Sequence, residues 1–234
     1  MPETIYTIPI NEAFDKTSES ETPSCPFCEL YDMLENNALD AVLGAAMMEP
    51  DIRIETNRLG FCRGHFNKMY EKGNRLPLAL ILESHIAEVN DKVFKKSLFD
   101  TKGEKSESAI EKLSGTCYLC SKISGSLAKM FSNTIYIWET DDEFRRKFKK
   151  QRCFCLPHYR RLLEYGRSDL SKKDFADFFE VAKGIERKYI DSLNEDVSWF
   201  CKKFDYRYDN EPWGNAKDSI PRALDFLSGG KTER

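Results

Sequence analysis

The motif CPFC at residues 25–28 is followed by CRGH at residues 62–65, and the chain then repeats this order. The second copy consists of CYLC at residues 117–120 and CLPH at residues 155–158. The gap between the two motifs holds 33 residues in the first copy and 34 in the second. Most cysteines and histidines of the chain fall in this pattern, which indicates an internal duplication.

The two copies supply side chains of the kind that bind zinc. A CxxC turn directs two thiolates at one ion, and a Cys and a His three residues apart lie on one face of a helix. The N-terminus of that helix also favours a thiolate. The sequence therefore predicts two tetrahedral Cys3His zinc sites, one in each copy. The predicted ligands are Cys25, Cys28, Cys62 and His65 in the first copy, and Cys117, Cys120, Cys155 and His158 in the second.

The predicted zinc sites favour a structural role over a catalytic one. Four protein ligands leave no coordination position for water or substrate, so we predict no catalytic residue. Two alternatives stay open at this stage, an iron–sulfur cluster and metal-free redox thiols. The CPFC motif alone is typical of a glutaredoxin-type turn, but such a turn follows a core strand, whereas residues 15–24 are a polar linker.

Composition limits the classes of partner. The formal net charge of −3 is a poor match for a protein that grips a phosphate backbone, although residues 145–161 are locally basic. We therefore expect a protein partner, with nucleic-acid binding through that segment as a second alternative. The N-terminus has no signal-peptide pattern, and no apolar run is long enough to cross a bilayer. We expect a cytoplasmic protein.

Hydrophobic spacing predicts a mainly α-helical fold. The expected domains are an N-terminal helical half, residues 1–100, and a C-terminal helical half, residues 101–234, which ends in a small tail helix. We expect the two halves to form one compact unit. Long helices are predicted over residues 76–99 and 171–205. Residues 5–10 alternate like a short extended segment, and polar residues 100–114 are expected to connect the halves.

Two further residues have open roles. His85 lies on the apolar stripe of the first long helix and corresponds to Phe178 in the second copy, which favours a buried, hydrogen-bonded core histidine. Cys153 corresponds to Gly60 in the first copy. It is interpreted as an idle thiol, with a substitute ligand and an oxidisable sensor as alternatives.

The motifs resemble those of a bacterial family of unknown function. The resemblance rests on the order CPFC, GFCxxH, CxxC and FCLPH, on Ile-Tyr-Thr-Ile-Pro at residues 5–9, and on the tail residues Trp213, Gly214, Lys217, Asp218, Arg222 and Ala223. It implies a metal-binding helical protein with the same eight ligands and brings no activity with it. The sequence thus predicts a zinc-stabilised, non-catalytic binding or scaffold protein.

Overall fold

The computed structural model describes residues 6–45, 49–94 and 103–229, and within these ranges the chain forms eleven α-helices and no strand. The helices are α1 (Thr7–Glu19), α2 (Pro26–Val42), α3 (Pro50–Leu59), α4 (Arg63–Glu71), α5 (Arg75–Val89), α6 (Glu104–Gly115), α7 (Tyr118–Thr140), α8 (Asp142–Lys149), α9 (Leu156–Asp169), α10 (Lys172–Lys202) and α11 (Ser219–Ser228). A π-helical turn, Asn90–Phe94, extends α5, and two 3-10 turns lie between α10 and α11. The predicted all-helical class is confirmed.

The N-terminal segment is helical where the prediction was an extended one. Residues 7–10 form the first turn of α1, while residue 5 lies outside the described residues. Pro9 fits this turn because the first N–H groups of a helix have no intrahelical partner. The apolar residues then follow the helical period, since Ile10 and Phe14 are fully buried and Ile8 is exposed.

Another difference concerns the expected connector, of which residues 100–102 lie outside the described residues. Gly103 has a φ of +75°, and the chain then enters α6. No residue of this helix is buried. The polarity that suggested a connector therefore reflects an exposed helix rather than an irregular linker.

Both CxxH motifs begin a helix at the expected position. Cys62 is the N-cap of α4 and Cys155 is the N-cap of α9, each with extended backbone angles. Ser171 caps α10 by accepting a hydrogen bond from the Asp174 N–H, at the start predicted for this helix. The N-cap of α8 is Asp141, which accepts hydrogen bonds from two N–H groups of the first turn. Side-chain caps thus fix the starts of α8 and α10, whereas the N-caps of α4 and α9 are themselves the predicted ligands Cys62 and Cys155 and make no side-chain cap hydrogen bond.

The chain divides into two compact units. The terminal unit comprises residues 6–32 and 127–229, and the central unit comprises the described residues between 33 and 126. The unit boundaries fall within α2 and within α7. This division differs from the sequential boundary expected at residue 100, because the terminal unit combines the two ends of the chain.

A cluster of phenylalanines forms the core of the terminal unit and surrounds one CxxC turn. The fully buried members are Phe14, Phe27, Phe131, Phe144, Phe148, Phe154 and Phe178. The rings of Phe27 and Phe131 stack with centroids 4.0 Å apart. The buried Gln151 side chain donates to the Phe14 carbonyl and accepts from the Thr17 hydroxyl, which ties α1 to the segment before Cys153.

The tail helix α11 is fixed to the terminal unit by a buried arginine. Arg222 donates to Asp196 of α10 and to Asp218 just before α11, each at 2.9 Å. Next to it, the ring of Phe226 packs edge-on against Tyr189. Since both carboxylates face one guanidinium, its burial is compensated. Two of the residues that carry the family resemblance, Asp218 and Arg222, thus hold the tail in place.

In the central unit, α3 and α5 pack together and bring a glycine against a histidine. Leu78 and Ile81 of α5 are buried, as is Met69 of α4. Gly60 ends α3 with a φ of +61°, and a Cβ there would lie 3.0 Å from Cε1 of His85. The position therefore requires glycine for both reasons. Among the described residues, no helix is long and apolar enough to span a membrane.

Candidate metal centres

The predicted ligands form two groups, but each group combines residues from both copies of the repeat. The first centre consists of Cys25, Cys28, Cys155 and His158, and the second centre consists of Cys62, His65, Cys117 and Cys120. In each centre the four ligand atoms all lie within 4.8 Å of one another. The predicted pairing within each copy is therefore wrong: CPFC meets the second CxxH motif, and the first CxxH motif meets CYLC.

The first centre lies entirely in the terminal unit. His158 Nδ1 lies 3.1 Å from Sγ of Cys155 and 3.6 Å from Sγ of both Cys25 and Cys28. The sulfurs of Cys28 and Cys155 are 3.7 Å apart. Helix α2 starts immediately after Cys25, and α9 starts immediately after Cys155, so two helix N-termini meet at these sulfurs.

The second centre repeats this arrangement in the central unit. His65 Nδ1 lies 3.2 Å from Sγ of Cys117, 3.3 Å from Sγ of Cys62 and 3.4 Å from Sγ of Cys120. The sulfurs of Cys62 and Cys120 are 3.9 Å apart. The backbone N–H of Tyr118 donates to the Gly60 carbonyl, which joins the two ligand-bearing segments beside the centre.

These separations fit one tetrahedral ion in each centre. With zinc–sulfur bonds of about 2.3 Å and zinc–nitrogen bonds of about 2.0–2.1 Å, a tetrahedron separates two sulfurs by about 3.8 Å and sulfur from nitrogen by about 3.6 Å. The sulfur–sulfur distances in the two centres, 3.7 and 3.9 Å, bracket the first value. The sulfur–nitrogen distances, 3.1–3.6 Å, equal the second value or are up to about 0.5 Å shorter. Three cysteines and one histidine are also a common structural zinc set. The residues of both centres therefore fit the zinc ion that was predicted from the sequence.

Burial and hydrogen bonding together set the thiol pKa values in the first centre. Burial raises the pKa of the Cys25 thiol well above its ordinary value, and hydrogen bonding with Cys155 and Cys28 adds to the shift. The pKa of Cys28 is lowered, because its thiolate accepts hydrogen bonds from Cys155 and Cys25. A cation that binds here must displace the remaining thiol protons, so its affinity falls as the pH falls.

The second centre has a carboxylate behind its histidine. Nε2 of His65 lies 3.3 Å from Oε1 of Glu35, within the range of an ion pair but without the alignment of a hydrogen bond. Glu35 is only 5% exposed and accepts from Lys68 at 2.5 and 2.6 Å. Burial lowers the pKa of His65, which keeps the imidazole neutral and able to bind a cation. Glu35 lies one turn before the buried Leu39 on α2, the single sequence signal that it faces inward.

His85 and Cys153, whose roles the sequence left open, both lie outside the two ligand sets. His85 is half-buried in the central unit against Gly60, and its Nδ1 is buried without a hydrogen bond. It belongs to neither centre. Cys153 is 4% exposed in the terminal unit, and burial raises the pKa of its thiol to about 12, with the charge of Glu186 as the next cause. A thiol held in its protonated form is a weak nucleophile.

A buried glutamate that the sequence did not reveal supports the backbone of the first centre. Glu186 of α10 is 7% exposed and accepts a hydrogen bond of 2.7 Å from the N–H of Phe154, the residue before the ligand Cys155. Its second oxygen, Oε2, is buried without a hydrogen bond. Burial raises the pKa of Glu186 to about 7, and the Phe154 N–H partly opposes that shift.

Glu186→Gln is expected to change how stability depends on pH. A carboxyl with a pKa of about 7 in the folded state and 4.5 otherwise favours folding below pH 4.5, and this contribution is lost as the pH rises through 7. Glutamine does not ionise, so its side chain adds no such pH dependence. The free energy of unfolding of the variant, relative to that of the parent, should therefore rise by about 1 kcal/mol when the pH is raised from 6 to 8.5. Urea unfolding at both pH values measures the difference. Glu180→Gln, an exposed change on the same helix, is the control. If the stability of all three proteins changed with pH in the same way, the raised pKa assigned to Glu186 would be wrong.

Comparison with known proteins adds one finding. The sequence model of a family of unknown function, DUF6062, matches residues 1–234. Neither a curated protein nor a solved structure gives a significant match to the chain. The match covers the whole chain, including all eight residues of the two centres. The chain therefore belongs to DUF6062, a family of unknown function.

Proposed function

We propose that this chain is a zinc-stabilised, non-catalytic binding or scaffold protein in which two zinc ions fix the ligand-bearing helices. The observation that carries the proposal is the geometry of the two centres. Each brings three sulfurs and one imidazole nitrogen within 4.8 Å, with spacings close to the edges of a zinc tetrahedron. Each centre also joins segments far apart in sequence, as a structural ion does.

A structural role follows from the number of ligands. Catalytic zinc keeps an open position for water or substrate, whereas four protein ligands complete the tetrahedron. Structural zinc contributes roughly 10–16 kcal/mol in small peptides at neutral pH. That range overlaps the upper part of the whole stability of a typical domain, about 5–15 kcal/mol. Two such ions therefore suffice to decide whether this fold forms.

The ligand spacing favours a single ion over an iron–sulfur cluster. In a [4Fe–4S] cluster each cysteine binds a different iron, which places the ligand atoms farther apart than those around one ion. Redox chemistry by free thiols is also disfavoured. A glutaredoxin-type turn follows a core strand, and the described residues contain no strand.

The basic segment 145–161 has internal uses that weaken the nucleic-acid alternative. Arg145 donates to the carbonyls of Trp138 and Glu139, and Lys147 forms an ion pair with Asp15. In the same segment, Arg152 donates to the carbonyls of residues 20 and 21, and Arg161 stacks over the ring of Phe131. Cations that hold the fold together contribute less to phosphate binding than free ones.

The charge and the exposed apolar residues of the protein fit a protein partner better than a nucleic acid. The formal net charge is −3, and α11 carries an exposed apolar stripe with helical spacing. Its members are Ile220, Leu224 and Leu227. Such a stripe on a short surface helix is typical of a protein contact. None of the described cysteines forms a disulfide, which agrees with the cytoplasmic location that we propose.

Elemental analysis of protein purified without oxygen should find two zinc ions per chain. The reason is that each centre provides a complete set of four ligands. An absorption spectrum taken on the same sample should be featureless in the visible range, because zinc is colourless. A visible band that bleaches on reduction, with iron in place of zinc, would contradict the proposal. Protein without bound metal would contradict it as well.

A further inference from the structure

A cavity of about 290 Å³ opens onto the first centre within the terminal unit. Three ligands of that centre line it, namely Cys25, Cys28 and Cys155. The cavity thus gives small solutes a route to sulfurs that the surrounding fold otherwise buries. Its volume greatly exceeds the roughly 30 Å³ that one water molecule takes up in the liquid.

The same cavity contains a thiol that the centre does not use. Cys153 lines the cavity beside the three ligand cysteines, is 4% exposed and makes no hydrogen bond with the described residues. A buried thiol needs no partner when it is only a small apolar filler. Cys153 does pack against the buried side chains of Tyr189, Leu193 and Phe226. It also lines the same cavity as three ligand cysteines, however, and a sulfur there acts as a soft ligand.

Three acidic side chains line the cavity. Asp225 is exposed and forms no ion pair among the described residues, whereas Glu29 is paired with Lys16 at 2.5 Å and Asp32 is half-buried. The positive member of the lining, Arg222, is compensated by the carboxylates of Asp196 and Asp218. A lining that holds the exposed Asp225 carboxylate as well as several sulfurs favours the entry of a divalent cation and offers it softer ligands.

We propose that the first centre exchanges its zinc through this cavity and that Cys153 is the transient ligand for the incoming or departing ion. The inference rests on the proposed zinc function. When Cys153 binds, its thiol releases a proton to the solvent in the cavity and its sulfur forms a bond to zinc. One resident ligand can then leave without the ion ever losing four-coordination, which lowers the barrier to exchange.

The second centre provides an internal comparison. The position that corresponds to Cys153 is Gly60, which has no side chain and lies against His85. The histidine of the second centre also lies 3.3 Å from the buried carboxylate of Glu35. The second centre therefore lacks the extra thiol that the first centre has, and we expect its ion to exchange more slowly.

Isotope exchange on the zinc-loaded protein tests this proposal. The protein is mixed with an excess of isotopically enriched zinc, and native mass spectrometry counts the replaced ions over time. One ion should exchange at least about tenfold faster than the other, which corresponds to about 1.4 kcal/mol in barrier height. In Cys153→Ala and Cys153→Ser the fast exchange should slow by about tenfold. Cys201→Ser changes an exposed cysteine that is not a ligand and should leave both rates unchanged.

The possible results separate this inference from the proposed function. Two bound zinc ions with the same exchange rates in the parent and both Cys153 variants would overturn the inference and leave the proposed function standing. Faster exchange in both variants would overturn it too. Loss of one zinc ion from both variants would show that Cys153 is a resident ligand, which also overturns the transient role. Parent protein without zinc would overturn both proposals.

Discussion

The double variant Cys28→Ser/Cys155→Ser is expected to lose one zinc ion per chain, whereas Cys28→Ser/Cys62→Ser is expected to lose both. The first pair of cysteines belongs to one centre, and the second pair is divided between the two. Pairing within each copy of the repeat predicts the opposite results. Zinc content after gel filtration therefore distinguishes the two arrangements directly. Loss of an ion worth roughly 10–16 kcal/mol is the largest effect that we expect from any side-chain change.

Two further variants serve as controls for the assignment of cysteines to the two centres. Cys201→Ser removes an exposed thiol of α10 that belongs to neither centre, and it should retain two ions. Cys62→Ser/Cys117→Ser should match the first double variant, because both cysteines belong to the second centre. If Cys28→Ser/Cys155→Ser lost both ions while Cys28→Ser/Cys62→Ser lost one, the crossed arrangement would be wrong.

Removal of both ions is expected to abolish much of the helical structure. Without the ions, the CPFC turn and the CLPH helix start lose their common anchor, and each buried set of thiols is left without a cation. The contribution of two structural ions exceeds the stability of a typical domain of about 5–15 kcal/mol. Far-ultraviolet circular dichroism before and after incubation with a strong chelator measures the loss.

Added zinc should restore the helical signal, and added magnesium should not, because magnesium prefers oxygen ligands. A chelator-treated protein that has lost its metal but keeps an unchanged spectrum would show that the ions are peripheral to the fold. An incomplete loss of the helical signal would also be informative, because the terminal unit has an aromatic core. If the phenylalanine cluster alone held the terminal unit together, helix would be lost only from the central unit.

Sequence pattern predicted the helices well where capping and periodicity agree. The predicted start of α10 at Ser171 and the helix starts at Cys62 and Cys155 are all found. The N-terminal extended segment was wrong because residues 5–10 are too few to distinguish a period of 2 from one of 3.6. Pro9 also has two acceptable environments, an edge strand and the first turn of a helix.

The ligand residues could be predicted, but not their pairing. Every CxxC motif can close a tetrahedron with every CxxH motif, and the gaps of 33 and 34 residues within the copies suggested the local choice. The choice depends on which helices pack together, and that is decided by long-range contacts such as the stacking of Phe27 on Phe131. Glu186 had no signal in the sequence either, because a lone glutamate in a long helix is normally exposed.

Because each centre takes ligands from both copies of the repeat, the two ligand sets become complete at different times during translation. The second centre draws on residues 62–120, so its ligands leave the ribosome within one short stretch. The first centre has to wait for residue 158, some 133 residues after Cys25. The CPFC thiols are therefore the earliest to be made and the last to be joined, and on a nascent chain they are the pair most open to oxidation. Pulse labelling of ribosome-bound chains with a thiol reagent should find them reactive until His158 has emerged.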